Sequence, residues 1–423
     1  MKSFNRLIFF FLILTVLALL SSSCSKRENP IKLDIAKGTL YGIPAVTFNS
    51  LAGNVFNDAS ARRIWIYAPA DFSTATLRRY KYPVLYFLHG FKQGPEDIRD
   101  IYHIGEIADE LIAHKEIQPM LIVMTDCSNS FGGSFYTNSL VFTGDPSNVL
   151  VFGGKYEEFI AQELVSYVDS AFKPWVRGGK PVFDSVYRAN RGISGYDMGG
   201  YGAFKIAMDY DSVFGSVSAS NAPLLPCGDD TTYGLLALKD SIFKENKMQK
   251  GDFARYRLFS DSLAYKPLTT MLFAMAAAFS PHPNIPGRDT SITFFTYYKN
   301  PKAENAKGID LPIDANGDTV KFIWNVLWRS NDLKSKYLTY KAEGKNLFDQ
   351  KKIYLDWADH HPLGYQKQSE VFSSLLQDQG LETAGGAYSG YYNYPAGPSN
   401  FLYDRMKLIL KFHSQNFAPP EEK

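Results

Sequence analysis

A carboxylate set between two glycines is the most chemically pointed feature of this chain. Residues 191–203 read Arg-Gly-Ile-Ser-Gly-Tyr-Asp-Met-Gly-Gly-Tyr-Gly-Ala, with Asp197 midway between Gly195 and Gly199. The spacing predicts a short strand, a sharp turn and a helix. Glycines on either side remove side chains where strand and helix nearly touch, and the central residue is left in a strained backbone conformation. A carboxylate at such a tip can attack carbon or move a proton. It can also rest as a structural anion on the positive end of the helix that follows, Gly199 to Met208. Attack on carbon leaves an ester that water must cleave, which calls for an imidazole nearby. His360 and His361, beside Asp359 and just past the apolar run 353–355, are the candidates. His413 lies in a helical pattern near the C-terminus and reads as a surface or core histidine.

The elements that would position these groups alternate along the chain. Residues 40–46 and 62–69 read as antiparallel edge strands, the second with Arg63, Trp65 and Tyr67 on one face. Residues 82–88 form an unbroken apolar run ending at His89-Gly90-Phe91, and 119–125 form another ending at Asp126; both read as buried parallel strands. Helical spacing covers 104–114 and 156–172. A strand at 191–194, a helix to Met208 and a strand at 214–220 follow. Regular alternation stops near Pro223 and resumes at Lys352, with a strand at 352–355, a helix at 366–379, a strand near 391–394 and a helix at 403–412. The expected fold class is therefore α/β, a mostly parallel central sheet with helices on both faces. The interruption, 223–350, is expected to be a cap insertion, with the core formed by 40–222 and 351–415 and a tail at 416–423. Within the insertion, Asp314-Ala315-Asn316-Gly317-Asp318 begins like a calcium loop, but the later ligands are absent. It reads as an Asn-Gly turn, and no metal and no cofactor are expected.

Composition narrows the partners. The 423 residues balance 45 basic against 43 acidic side chains, a formal net charge of +2 with no basic stripe, which argues against nucleic acid. Lys2 and Arg6 precede an apolar run at 7–20 that is short for a membrane span, and three serines then lead into Cys24. This layout is that of a bacterial lipoprotein signal at 1–23, with Cys24 lipidated and 24–39 a tether. The expected location is the cell envelope, periplasmic or surface-exposed, on a lipid anchor. Cys127 and Cys227 remain, as a disulfide or as two buried thiols.

Several motifs in order now carry a resemblance: 62–69, 82–91, Gly-Ser-Phe-Tyr-Thr-Asn-Ser at 133–139, 156–164, the Asp197 turn, and Ala-Met-Ala-Ala-Ala-Phe-Ser-Pro at 274–281. Over most of residues 40–415 the chain resembles the esterase branch of the α/β-hydrolases, the group of esterase D-like, feruloyl-esterase-like and mycolyltransferase-like proteins. The resemblance implies an α/β-hydrolase fold and acyl transfer or hydrolysis, with a serine nucleophile, an acid and a histidine. It places Asp197 at the nucleophile position, His361 at the acid position beside Asp359 and His360, and Pro398 at the histidine position. The backbone N–H groups of Phe91 and Met198 would be the oxyanion donors. Proline has no titratable group, so the chain departs from the family at all three catalytic positions. Loss of one triad member costs roughly 10⁴- to 10⁶-fold in turnover. The expectation is a non-catalytic esterase-like protein that keeps a cleft for an acylated carbohydrate, a small ester or a partner. The alternative is a hydrolase using Asp197 with His360 or His361.

Overall fold

Eight strands lie side by side, and the central ones are buried along their whole length. In chain order they are β1 (Thr39–Thr47), β2 (Ala61–Ala68), β3 (Val84–Leu88), β4 (Leu121–Thr125), β5 (Arg191–Tyr196), β6 (Ser216–Ser220), β7 (Lys352–His360) and β8 (Thr383–Tyr391). Their order across the sheet is β1-β2-β4-β3-β5-β6-β7-β8. β1 and β2 pair antiparallel, as do β2 and β4, and every later pair is parallel. The computed structural model describes residues 35–72, 82–142, 149–171, 188–228, 232–245, 266–283, 306–313, 317–345, 347–348, 351–391 and 401–418. Every element here lies within the unit Lys37–Lys423.

The alternation of side chains along β3 explains why the sheet needs helices on both faces. Val84, Tyr86 and Leu88 join a core with Phe159, Tyr201, Phe204 and Phe372, from the helical segments at 156–171, 198–209 and 365–378. Leu85 and Phe87 join a second core with Ile104, Ile107, Met406 and Ile409, from Ile104–Ala113 and the C-terminal helix Phe401–Asn416. A strand covered on both sides has no solvent face, so its sequence is continuously apolar rather than alternating. The helix at 156–171 is α-helical at both ends with a π-helical turn at Phe159–Leu164.

Register brings the carboxyl ends of the strands into line. Leu88 pairs with Gly195, Tyr196 with Ser220, and Ser220 with Asp356. The turn after β3, the turn after β5 and the end of β7 therefore meet at one edge. Between β6 and β7, the described residues hold the helices Leu235–Glu245, Pro267–Phe279 and Leu333–Ala342 and a short ribbon of 281–283 with 306–309, none of them in the main sheet.

Two boundaries differ from the sequence expectation. β8 runs over 383–391 rather than near 391–394; Gly385 and Gly386 erase its side-chain pattern, yet a Cβ on Gly385 would stand 2.0 Å from the Leu355 carbonyl oxygen. β7 continues to His360 instead of stopping at Leu355, because Asp356 and Trp357 pair with Gly386 and Ala387. No helix among the described residues is long and apolar enough to cross a membrane. Cys127 and Cys227 are free buried thiols. The expected signal segment with Cys24, the expected tether as far as residue 34, the residues around Pro398 and most of 314–318 lie outside the described residues.

Candidate functional site

Asp197 sits at the tip between β5 and the helix Met198–Asp209 with φ 53° and ψ −124°. Few L-residues hold such a conformation, and the surroundings enforce it. Its N–H donates to the Ser220 carbonyl at 3.0 Å, and its own carbonyl accepts from Gly200 N–H at 3.0 Å. The flanking glycines are a steric requirement: a Cβ on Gly195 would lie 2.2 Å from the Gly199 carbonyl carbon, and one on Gly199 would lie 2.1 Å from the Leu88 oxygen.

The carboxylate does not cap its helix in the usual way. Sequence reasoning allowed an anion on the free N–H groups of the first turn, but the Gly200 and Tyr201 N–H groups go to the Asp197 main-chain oxygen. The side chain instead reaches across the cleft, where Phe91 N–H donates to Oδ2 at 2.8 Å. The Met198 N–H also favours the ionised form, but burial outweighs both donors and pushes the carboxyl up to about 6. These two main-chain donors are the pair that the family resemblance assigns to the oxyanion.

The loop after β3 is built to present Phe91. Gln93 Oε1 accepts from Gly90 N–H at 2.8 Å and from the Tyr102 hydroxyl at 2.7 Å. Lys92, at φ 57°, donates its N–H to the Gly132 oxygen at 2.8 Å. His89 is fully buried beneath the loop. Its Nδ1–H donates to the Gly90 oxygen at 2.8 Å and its Nε2 accepts from Cys127 N–H at 2.9 Å, and burial holds its pKa down.

A cleft of about 470 Å³ opens over Asp197. Phe91, Gln93 and Asp197 form part of its floor, Pro267, Leu268 and Met271 close it from the insertion, and His361, Pro362, Leu363 and Tyr365 come from beyond β7. His361 stacks on Tyr365 with ring centroids 4.1 Å apart and 13° between planes. Its Nδ1 accepts from Leu363 N–H at 3.2 Å, which places the proton of the neutral ring on Nε2. Burial pushes its pKa down to about 3, so at neutral pH it is uncharged and a weak base.

Of the residues singled out from sequence, the structure gathers Asp197, Phe91 and His361 around one cleft, with Met198 at the helix start behind Asp197. Asp359 is half-buried and is not among the cleft-lining residues. His360 ends β7, and its side chain is outside the described residues. His413 is a core residue: its Nδ1 meets Ser216 Oγ at 2.7 Å and its Nε2 meets Ser218 Oγ at 2.8 Å. Sequence reasoning missed Gln93, Met271 and Tyr365. Gln93 stands two residues past Phe91 in the same turn, a polar side chain following a buried strand, which was a usable signal; the other two become site residues only through tertiary packing. Among the described residues no group of His, Cys, Asp and Glu could hold a metal ion.

The family described as "Putative esterase" matches residues 59–397. The chain belongs to this family. Two Mycobacterium tuberculosis proteins, Esterase Rv1288 and Esterase MT1326, are each 28% identical to it over 155 residues, 37% of this chain. That match spans only 28% of the length of those relatives. A solved ferulic acid esterase superposes with a TM-score of 0.50 at 17% identity, covering 90% of this chain and 99% of that one. The fold is that of the esterase branch of the α/β-hydrolases, and this family member carries aspartate where its turn presents the residue at the tip.

Proposed function

We propose that this esterase-family protein is a binding protein that holds an acylated carbohydrate or small ester without hydrolysing it. One observation carries the reading: the Asp197 carboxylate accepts from Phe91 N–H at 2.8 Å. Ester hydrolysis requires main-chain donors free to receive the oxyanion as it forms. Here a resident oxygen already holds that donor, and at neutral pH it carries negative charge where more negative charge would have to develop. The supply of base supports the same reading. The chain has seven histidines, and none lies between His361 and His413; His413 is locked between two serines, and His361 is held neutral by burial.

The reading extends to location. A basic start, an apolar run and three serines before Cys24 support a lipid anchor at that cysteine and a place in the cell envelope. Mass spectrometry of the mature N-terminus tests this; an unmodified Cys24, or a cut elsewhere, would contradict it.

The activity test is turnover of p-nitrophenyl acetate and butyrate by the full chain in detergent. The expected rate equals the buffer rate, and Asp197→Ser does not restore hydrolysis because the new hydroxyl lacks a competent base. The second reading is Asp197 acting with His360 or His361, and the cleft that Asp197 and His361 share favours His361. Turnover by the wild type that disappears in both Asp197→Asn and His361→Gln would establish it and overturn the binding-protein reading.

A further inference from the structure

The two main-chain donors that hold Asp197 are themselves held, and one support comes from a third segment. A Cβ on Gly133 would stand 2.5 Å from Met198 Sδ and 2.7 Å from the Phe91 ring, so this segment sits against both donor residues. Backbone strain collects where the three segments meet: Lys92, Phe135, Tyr136 and Asp197 all hold φ between 46° and 57°. Two bulky residues in succession at positive φ persist only where their surroundings enforce it, and such strain concentrates at functional sites. Here Ser134 Oγ accepts from the Tyr136 N–H at 3.2 Å, and Thr137 Oγ1 donates to the Phe135 carbonyl at 2.9 Å.

Tyr136, fully buried, bridges the two segments that carry the donors. Its ring lies against the helix Met198–Asp209, where a Cβ on Gly202, one turn past Met198, would stand 2.4 Å from Cγ and Cδ2. Its hydroxyl donates to the His89 carbonyl at 2.9 Å. That oxygen is wedged at the helix start, 2.8 Å from where a Cβ on Gly199 would lie. The peptide joining His89 to Gly90 is thus gripped at both ends, its oxygen by Tyr136 and its N–H by Gln93 Oε1. The next peptide carries the Phe91 N–H, and its oxygen is taken by His89 Nδ1–H.

We infer that Tyr136 is a positioning residue: its hydroxyl fixes the His89–Gly90 peptide and its ring spaces that loop from the helix, so that the Phe91 and Met198 N–H groups converge on the Asp197 carboxylate. The inference rests on the same Phe91–Asp197 contact that carries the proposed function. Tyr136 is not among the cleft-lining residues, so it acts through Phe91. Without its hydroxyl the His89 oxygen would be a buried acceptor lacking a donor. The peptide would turn to find one and carry the Phe91 N–H off its line. Burial above all, with the Asp197 charge a lesser contributor, pushes the Tyr136 hydroxyl well above its ordinary range, so it remains a donor while Asp197 titrates.

The test compares Tyr136→Phe with Tyr201→Phe, each in the full chain in detergent. Both variants keep the ring and lose a buried hydroxyl that donates to a carbonyl; that of Tyr201 goes to Asn331 of the insertion at 2.6 Å. Carbon-13 NMR of labelled aspartate follows the Asp197 midpoint, about 6 in the wild type, and nitrogen-15 phenylalanine follows the Phe91 amide. In Tyr136→Phe the misaligned donor favours the ionised carboxylate less, so the midpoint should rise by about half a unit or more and the Phe91 response should shrink. Tyr201→Phe should lose thermal stability with both readouts unmoved. Lys92, Asp97, His361 and Tyr365 line the same cleft and are unchanged in both variants, so the difference between them reads the donor. Ser134→Ala removes the acceptor of the Tyr136 N–H and should move the midpoint in the same direction; it decides the matter if Tyr136→Phe does not fold. Wild-type readouts in the folded variants, or the same shift in Tyr201→Phe, would overturn the inference. Hydrolysis of p-nitrophenyl acetate by the wild type would defeat the non-hydrolytic reading and leave the Tyr136 assignment standing, whereas unmoved readouts without hydrolysis defeat only that assignment.

Discussion

Asp197 and Asp356 stand at the same edge of the sheet, and burial pushes both carboxyls up to about 6. Their surroundings differ in kind. Asp356, at the end of β7, is met by the Ser220 and Tyr354 hydroxyls, with Arg405 at 3.7 Å. Those partners come from β6, from β7 itself and from the C-terminal helix, so this carboxylate ties three elements together. Asp197 is met by main-chain N–H groups and otherwise opens to a cleft. A raised carboxyl pKa alone does not separate the two. What separates them is whether the protein spends the acceptor on itself or leaves it for something else.

Removing each carboxylate should therefore have opposite consequences. Asp356→Ala leaves two buried hydroxyls and a guanidinium without their acceptor, a change expected to cost about 3–5 kcal/mol in chemical denaturation. A loss below about 1 kcal/mol, within the range of ordinary surface substitutions, would break the comparison.

Asp197→Asn should stabilise the protein at neutral pH. In the folded state its pKa lies above the ordinary 3.8, so folding favours the protonated form and the group's contribution falls as pH rises from 3.8 through about 6. The ionised group therefore costs stability at pH 7.5, by about 1–3 kcal/mol once water in the open cleft is allowed for. Asparagine avoids that cost, keeps an acceptor for Phe91 and tolerates positive φ. Its melting temperature should exceed the wild type's at pH 7.5, and the gap should close as pH falls toward 4. A gap that widens with acid would show that the carboxylate is stabilised when ionised.

The framework of this site was legible in the sequence for a steric reason. Glycines at 195 and 199 are demanded by contacts near 2.2 Å, so the turn announces itself in residue types. The alternation of buried strands and helices was readable because continuous apolar runs and 3.6-residue spacing are local patterns. That Asp197 stands where the family resemblance expects serine, and Pro398 where it expects histidine, comes from the resemblance alone, and Pro398 lies outside the described residues. The pairing of Asp197 with Phe91 N–H joins residues 106 apart and depends on a side-chain direction that no local pattern encodes. The same holds for Tyr365 and Met271 on the cleft wall, and for the continuation of β7 through Asp356, where pairing with a glycine-rich neighbour overrides side-chain periodicity.

The central claim is that a carboxylate oxygen holds the donor an esterase keeps free. It is tested most directly at the Phe91 amide. In protein labelled with nitrogen-15 phenylalanine, the Phe91 N–H signal should titrate with a midpoint of about 6, following the hydrogen bond to Asp197, and the titration should vanish in Asp197→Asn. A Phe91 amide that ignores pH between 4 and 8, or that titrates unchanged in the asparagine variant, would contradict the account.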